Sequence, residues 1–144
     1  MATLRDLLAH KGHSVLTVRP TDTVLHVANL MNEKNIGGVV VQDGEKLSGI
    51  FTERDVLRRV VAHGLDPATT VVSAVMTTPV LTCRPDMSVE DCAGLMTTKR
   101  IRHLPVADGG ALMGIVTIGD LMAHTVGEQK ATIEHMNSYI FDLR

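Results

Sequence analysis

Two short segments of the sequence place a threonine and an aspartate at the same spacing after an apolar run. The segments Gly49–Asp55 (GIFTERD) and Gly114–Asp120 (GIVTIGD) both have the form Gly-Ile-x-Thr-x-x-Asp. The simplest explanation is a capping box, in which the hydroxyl and the carboxylate accept hydrogen bonds from free N–H groups at the start of a helix. The alternative is that the same groups hold a ligand. The motif alone favours the cap.

Other motifs of catalysis or metal binding are missing from the sequence. It contains no Gly-x-Ser-x-Gly, no Walker loop, no Gly-x-Gly-x-x-Gly and no acid–base constellation. The two cysteines, Cys83 and Cys92, lack the Cys-x-x-Cys spacing of a zinc site and have no clustered histidines beside them. The sequence therefore predicts no catalytic residues and no metal, and it predicts that both thiols are small buried hydrophobes in a reducing compartment.

Charge and hydropathy exclude two further classes of function. The formal net charge is −2 with a pI near 6.4, so no basic field attracts nucleic acid or an anionic membrane. Aromatic residues are 2% of the chain, too few for a single-strand stacking platform. The N-terminus lacks the apolar stretch of a signal peptide, and no apolar run approaches the ~20 residues that span a bilayer. We expect a soluble, cytoplasmic protein.

The chain contains an internal repeat. A shift of 65 residues aligns Val15–Asp55 with Val80–Asp120 without a gap, and 19 of these 41 positions are identical. Unrelated segments would match at far fewer positions. The sequence is a tandem duplication, and repeats of this kind are one supersecondary unit each.

Both copies predict the same order of elements. The apolar runs VLTV (Val15–Val18) and VLTC (Val80–Cys83) predict short strands that Arg-Pro ends, and a stretch with helical spacing follows each one. Two further strands meet at Asp43-Gly44 or Asp108-Gly109-Gly110, which are hairpin sequences. A last helix ends at Gly64 or Gly127. The fold class is α/β (α+β), with two βαββα repeats packed about a pseudo-twofold axis and two clefts between them.

These elements divide the chain into three parts. Residues 1–65 form the first repeat, residues 71–127 the second and residues 128–144 a tail, with Leu65–Thr70 as the link. A helical tail places Ile133, Met136, Ile140 and Leu143 on one face. Such a short helix needs a partner surface. It either covers its own module or joins two modules into a homodimer.

The hairpin segments IGGVVVQDG and IRHLPVADGG, together with GIFTERD and GIVTIGD, resemble the CBS domain family. The resemblance covers Leu7–His63 and Val72–Val126 and identifies the chain as a tandem pair, a Bateman module, standing alone. It implies adenosyl ligands in the clefts, such as AMP, ADP, ATP, NAD or S-adenosylmethionine.

The residues suit such ligands. A carboxylate only accepts hydrogen bonds, which matches the two hydroxyl donors of a ribose. A threonine at a helix start lies beside free N–H groups and the positive end of the helix dipole, where a phosphate is favoured. An adenine can lie between aliphatic side chains of the sheets.

The resemblance further implies that the Thr and Asp of one copy face the other copy. Cleft one then comprises Thr52, Arg54 and Asp55 with Ile101, Arg102 and His103 and the run Thr78, Pro79, Val80 and Leu81. Cleft two comprises Thr117, Gly119 and Asp120 with Ile36, Gly37 and Gly38 and the run His13–Thr17, including Thr17.

The two clefts are predicted to differ. Cleft one gathers Arg54, Arg102 and His103, which can donate to a phosphate, and His103 would tighten binding below pH ~6.5. Cleft two has Gly37 and Gly38 instead, which give room but no charge. We expect AMP in cleft one, and in cleft two a second adenosyl ligand, a dinucleotide such as NAD, or nothing. The alternative is that Arg102 and His103 are solvated strand ends, as Arg58 and Arg59 would be on a solvated helix face.

The leading hypothesis is a non-enzymatic regulatory module that binds adenine nucleotides and thereby senses energy or redox status. Binding would change its shape, and the change would be passed to an unknown effector protein or through a homodimer. Two alternatives stay open. One is a ligand-free structural adaptor in which Thr-x-x-Asp is only a cap. The other is a nucleotide-processing enzyme.

Overall fold

A computed structural model describes the backbone of residues 1–142 and the side chains of residues 1–134 and 136. The helices and strands follow the repeat, with one additional helix at the N-terminus. They are α1 (Leu4–Lys11), β1 (Thr17–Val18), α2 (Val24–Lys34), β2 (Gly38–Asp43), β3 (Lys46–Thr52), α3 (Glu53–Asp55, continued as a π-helix over Val56–Val61), α4 (Val89–Lys99), β4 (His103–Asp108), β5 (Ala111–Thr117) and α5 (Ile118–Asp142), with a 3-10 turn at Val72–Ala74.

The first repeat forms a three-stranded sheet in the order β1-β2-β3. Strand β1 runs parallel to β2, and β2 pairs antiparallel with β3 through the predicted hairpin at Asp43-Gly44. Gly44 has a positive φ of 63°, a conformation that a glycine adopts without steric cost. The buried residues Val39, Val40 and Val41 place the middle of the sheet in the core. The expected βαββα order is confirmed here.

The second repeat keeps the hairpin but loses the first strand. Strands β4 and β5 form a two-stranded sheet, whereas the predicted strand Val80–Cys83 is reduced to one bridge between Cys83 and Val106. Pro105 explains the difference. Its counterpart Val40 donates its N–H to the carbonyl of Leu16 at 3.2 Å, and a proline has no N–H to donate.

Helix α1 begins at a third Thr-x-x-Asp segment. The Asp6 carboxylate accepts a hydrogen bond from the Thr3 N–H at 2.9 Å, and the Asp6 N–H donates to the Thr3 hydroxyl at 3.4 Å. Leu4, Leu7 and Leu8 of this helix are buried in the core of the second repeat. Although α1 precedes the first repeat in the chain, it packs on the second.

The segment between the repeats packs in the opposite sense. Val72 and Val75 are buried in the core of the first repeat, and Met76 packs against it. The N–H and carbonyl of Thr77 bond to the carbonyl and N–H of Ile50 in β3, at 2.8 and 3.0 Å. Each repeat is therefore completed by the segment that precedes the other one. The predicted boundaries at residues 65, 71 and 127 stay a prediction.

The two closing helices end differently. Gly64 has a positive φ of 66° and ends the first one as predicted, with Pro67 shortly after it. The prediction that Gly127 ends the second is wrong, because α5 runs through it to Asp142. No proline follows Gly127 nearby, and a single glycine inside a long helix costs only about 1 kcal/mol.

The ends of the chain and the thiols complete the description. Ile133 and Met136 of the predicted apolar face are exposed, whereas the side chains of Ile140 and Leu143 lie outside the described residues. Cys83 and Cys92 are free and buried, as predicted. Contact with Cys83, together with burial, raises the pKa of the Cys92 thiol. Among the described residues, no helix is both long and apolar enough to cross a membrane.

Candidate functional site

Cleft one lies between the end of β3 in the first repeat and the start of β4 in the second. Its volume is about 320 Å³, within the range of small-molecule sites. The structure brings together all six residues predicted for this cleft from the segments GIFTERD and IRHLPVADGG. The residues that line it are Ile50, Thr52, Glu53, Arg54, Asp55, Leu57, Arg58, Thr77, Arg100, Ile101, Arg102 and His103.

Asp55 is a buried charged residue in cleft one, with 6% of its surface exposed. One carboxylate oxygen accepts from the Thr52 N–H at 3.0 Å, and the other accepts from the Thr77 hydroxyl at 3.0 Å. The Asp55 N–H donates to the Thr52 hydroxyl at 3.4 Å, which completes the capping box. A carboxylate has about four acceptor positions. The Thr52 hydroxyl, 3.4 Å away, uses a third position, so Asp55 can cap the helix and still accept one hydrogen bond from a ligand.

Several arginines lie in or beside cleft one. Arg54 donates across the boundary between the repeats to the carbonyl of Arg100 at 3.0 Å. Arg58 and Arg102 line the same cavity. Arg59 is half exposed, with its Nε 3.6 Å from Asp55 Oδ1. The arginines of α3 are thus exposed, as the solvated-face alternative expects, but they also face the cleft and its carboxylate. The cleft combines one buried acid with an excess of guanidinium groups.

His103 lies where the two repeats meet and lines both clefts. Its repeat counterpart is Gly38, and a Cβ atom on Gly38 would lie only 3.0 Å from the His103 ring. Burial lowers the pKa of His103 despite the neighbouring Glu53 carboxylate, since a buried imidazole resists protonation. The effect of His103 on binding stays a prediction, and burial moves its onset below the pH ~6.5 of a free imidazole.

Cleft two has a volume of about 490 Å³ and is built from the equivalent elements. The predicted residues Ile36, Gly37, Gly38, Thr117 and Asp120 line it together. Gly37 and Gly38 contribute no charge, as predicted, but the side chains around them do. Four further charged or titratable side chains line it, namely Lys11, Glu53, Arg102 and His103.

Asp120 is capped like Asp55 but has a different additional partner. Its carboxylate accepts from the Thr117 N–H at 2.8 Å, and its own N–H donates to the Thr117 hydroxyl at 3.1 Å. The ammonium of Lys11, at the end of α1, donates to the same carboxylate oxygen at 2.5 Å. The acid of cleft two is therefore in an ion pair within the chain.

Some predicted residues lie elsewhere, although all of them are described. Thr17 lines a separate cavity between the two hairpin turns. Gly119 is exposed and lines neither cleft. The run that follows Thr77 also lines neither cleft, and the hydroxyl of Thr78 donates to the carbonyl of Ser48 instead. This run comprises Thr78, Pro79, Val80 and Leu81.

Among the contributors to the clefts that sequence reasoning missed, three supply a hydrogen bond to an aspartate or an additional cation. Thr77 bonds Asp55, Lys11 bonds Asp120, and Arg100 adds a cation to cleft one. A signal for α1, and hence for Lys11, was present in Thr3-x-x-Asp6, which repeats the pattern of the other two caps. No pattern pointed to Thr77, because its role depends on packing against Ile50.

Within the described part of the chain, no group of three or more His, Cys, Asp or Glu side chains is arranged to hold a metal ion.

Comparisons with known proteins agree with this architecture. The family model of the CBS domain matches residues 4–62 and 72–127. The CBS domain-containing protein YhcV of Bacillus subtilis is 36% identical over 142 residues, which are 95% of this chain and 99% of that protein. The mitochondrial CBS domain-containing protein CBSX3 of Arabidopsis thaliana is 36% identical over 147 residues, covering 96% of this chain and 71% of its own.

A solved structure of a protein with CBS domains from Burkholderia ambifaria has the same fold. Its TM-score is 0.85 at 40% identity, covering 89% of this chain and 96% of that one. Two family matches, one at each repeat, and a relative that matches over nearly its whole length account for the duplicated fold. The chain therefore belongs to the CBS domain family, as a tandem pair of CBS domains.

Proposed function

We propose that this tandem CBS pair is a regulatory module that binds an adenine nucleotide in cleft one, with AMP as the preferred ligand. The observation that supports the proposal most is the combination of a buried aspartate and a cluster of arginines in one cavity formed by both repeats. A buried carboxylate is costly unless it is satisfied by donors, which the hydroxyls of a ribose would add.

Each part of the nucleotide has a candidate partner. Asp55 would accept from the ribose hydroxyls, and the Thr52 helix start with Arg54 and Arg102 would bind the phosphate. Ile50 and Ile101 supply aliphatic surfaces for the adenine. The guanidinium groups favour a phosphate over a neutral nucleoside.

The regulatory part of the proposal rests on the family and on its relatives, which are CBS domain-containing proteins. We propose that the module is not an enzyme, that it acts in the cytoplasm, and that the bound nucleotide alters its contact with an effector protein. ADP, ATP and NAD are further candidate ligands, which direct competition with AMP would rank.

Calorimetry with AMP tests the assignment of cleft one. Asp55→Asn keeps the size of the side chain but removes its charge, and we expect AMP binding to weaken roughly tenfold or more, because hydrogen bonds to a charged group are strong. Asp6→Asn is the matched control, since Asp6 has the same cap geometry at an exposed site. Unchanged AMP binding in Asp55→Asn would contradict the proposal.

A ligand-free adaptor is the second candidate. The observation in its favour is that all three Thr-x-x-Asp segments form caps. A thermal-shift screen with AMP, ADP, ATP and NAD separates the two functions, because a ligand at 100 times its dissociation constant adds about 2.7 kcal/mol of stability. The absence of a shift with every compound would favour the adaptor.

We also propose that two copies form a homodimer. Exposed apolar side chains on α3 and α5 stand at repeat-equivalent positions, Leu57 with Met122 and Val61 with Val126. Each of the four exposes 59% to 63% of its surface, which is unusual for a cluster of large apolar residues. A face with this internal twofold arrangement suits a second copy of the chain.

A further inference from the structure

Lys11 lines cleft two and belongs to α1, a helix that precedes the two aligned repeats. Its ammonium donates to the Asp120 carboxylate at 2.5 Å and to the carbonyl of Ile115 at 2.6 Å. The side chains of Lys11 and Asp120 are 30% and 23% exposed, so the pair is partly shielded from water. The two acceptors fix the ammonium at the end of β5, beside the cap of α5.

Cleft one has the equivalent carbonyl and carboxylate, and there a neutral residue bonds to both, at the carboxylate oxygen that does not accept the cap N–H. Ile50 and Asp55 are the repeat counterparts of Ile115 and Asp120. Thr77 donates its N–H to the Ile50 carbonyl at 2.8 Å and its hydroxyl to Asp55 at 3.0 Å. One ammonium in cleft two thus replaces an N–H and a hydroxyl in cleft one.

The surrounding packing follows the same equivalence. Gly49 in β3 lies under Met76, the residue before Thr77, and Gly114 in β5 lies under Leu8, one helical turn before Lys11. The C-terminal end of α1 therefore occupies in the second repeat the place that the segment before Thr77 occupies in the first.

We infer that Lys11 is a specificity-determining residue that closes the acid of cleft two to a nucleotide. The inference rests on the proposed function, because it concerns the same type of ribose contact. In cleft one Asp55 accepts hydrogen bonds from neutral donors only, because its nearest cation, the half-exposed Arg59, lies 3.6 Å away, beyond hydrogen-bond distance. Lys11 neutralises Asp120 with a charge-assisted hydrogen bond that the neutral hydroxyls of a ribose would have to displace. The module therefore binds one AMP tightly, in cleft one.

The variant Lys11→Met tests this by a gain of binding. Methionine keeps the unbranched apolar stem over the helix end but has no donor. We expect calorimetry to find a second AMP per chain, with cleft two tightened roughly tenfold or more. The control Lys11→Arg keeps the charge beside Asp120 and should retain one AMP per chain.

A second pair of variants isolates cleft two. In an Asp55→Asn background, the added Lys11→Met should restore one AMP per chain, and a further Asp120→Asn should remove it again. Melting temperatures without ligand show that each variant is folded, and a variant that does not fold is replaced by Lys11→Gln, for which the same results are expected.

The outcomes separate the inference from the proposed function. Suppose that the wild type binds one AMP, that Asp55→Asn loses it and that Lys11→Met gains no second site. This result overturns the role of Lys11 and leaves the proposed function intact. Weaker AMP binding in Lys11→Met also overturns this role, because Lys11 would then be a ligand contact. No AMP binding to the wild type, or binding that does not depend on Asp55, overturns the proposed function and the inference together.

Discussion

Asp6, Asp55 and Asp120 have one sequence pattern and three different surroundings. Asp6 is exposed, and its hydrogen bonds to Thr3 lower the pKa of its carboxyl group. Asp55 is buried, accepts from a neutral hydroxyl and has Arg59 3.6 Å away, whereas Asp120 accepts a hydrogen bond from an ammonium. The pattern therefore determines the helix cap, whereas residues distant in sequence determine what else each carboxylate can bind.

His103 gives the module a dependence on pH at the scale of one side chain. Burial lowers the pKa of the folded-state imidazole, so the unfolded chain takes up the proton first, near pH 6.5. The stability that neutral His103 contributes is present above about pH 6.5 and is lost as the pH falls through the folded-state pKa. We expect the melting temperature of the wild type to fall over this interval, and to fall less in His103→Gln.

The exposed His26 provides the control for this measurement. His26→Gln should follow the wild-type melting curve from pH 7 downwards. If His103→Gln lost as much stability between neutral and mildly acidic pH as the wild type does, the titration of His103 would have no part in the effect.

At the scale of elements, two glycines report how the crossed segments pack. A Cβ atom on Gly114 would lie 2.8 Å from Leu8, which is fully buried, so Gly114→Ala should lower the free energy of unfolding by about 1–3 kcal/mol. Gly49→Ala meets Sδ of Met76 more closely still and Cγ as closely, but this side chain is flexible and partly exposed and can move aside, so the substitution should cost less. Urea unfolding of both variants measures the difference, and an equal or reversed order would contradict this packing.

The repeat alignment predicted most of these elements, and the failures have local causes. Both hairpins, α2 and α4 follow from the hydrophobic spacing and turn residues. The prediction of a first strand in the second repeat was wrong because Pro105 has no N–H to donate to that strand. The predicted end of α5 was wrong because no proline follows Gly127, whereas Pro67 follows Gly64.

The candidate site was predictable where sequence neighbours form it. Two segments that the repeat alignment identifies meet at the boundary between the repeats, and they bring Thr52, Asp55, Arg102 and His103 into one cleft. Lys11 and Thr77 were not predictable, since their contacts join residues far apart in the chain. The charge difference between the clefts depends on these crossed segments as much as on the repeats.

At the scale of the whole molecule, the apolar face on α3 and α5 should govern assembly. Val61→Asp and Val126→Asp each place a charge on this face, and the double variant should be a monomer, because a buried unpaired charge is costly. Size-exclusion chromatography with light scattering gives the mass of each form. Leu25→Asp, at an exposed apolar residue of α2, is the control and should keep the mass of the wild type. A wild-type monomer, or a double variant that still dimerises, would rule out this face.

The contact between Gly38 and His103 has a consequence for how such a chain can arise and diverge. In a symmetric dimer of separate repeats, a residue beside the twofold axis faces its own copy, so both places carry the same side chain. A Cβ atom on Gly38 would already lie 3.0 Å from the His103 ring, so a second imidazole in its place would collide with the first. Two glycines would leave the space unfilled. Fusion of the repeats into one gene lets the two codons mutate separately. The fused chain can therefore encode a large residue opposite a small one, a combination that is closed to any ancestor with identical halves.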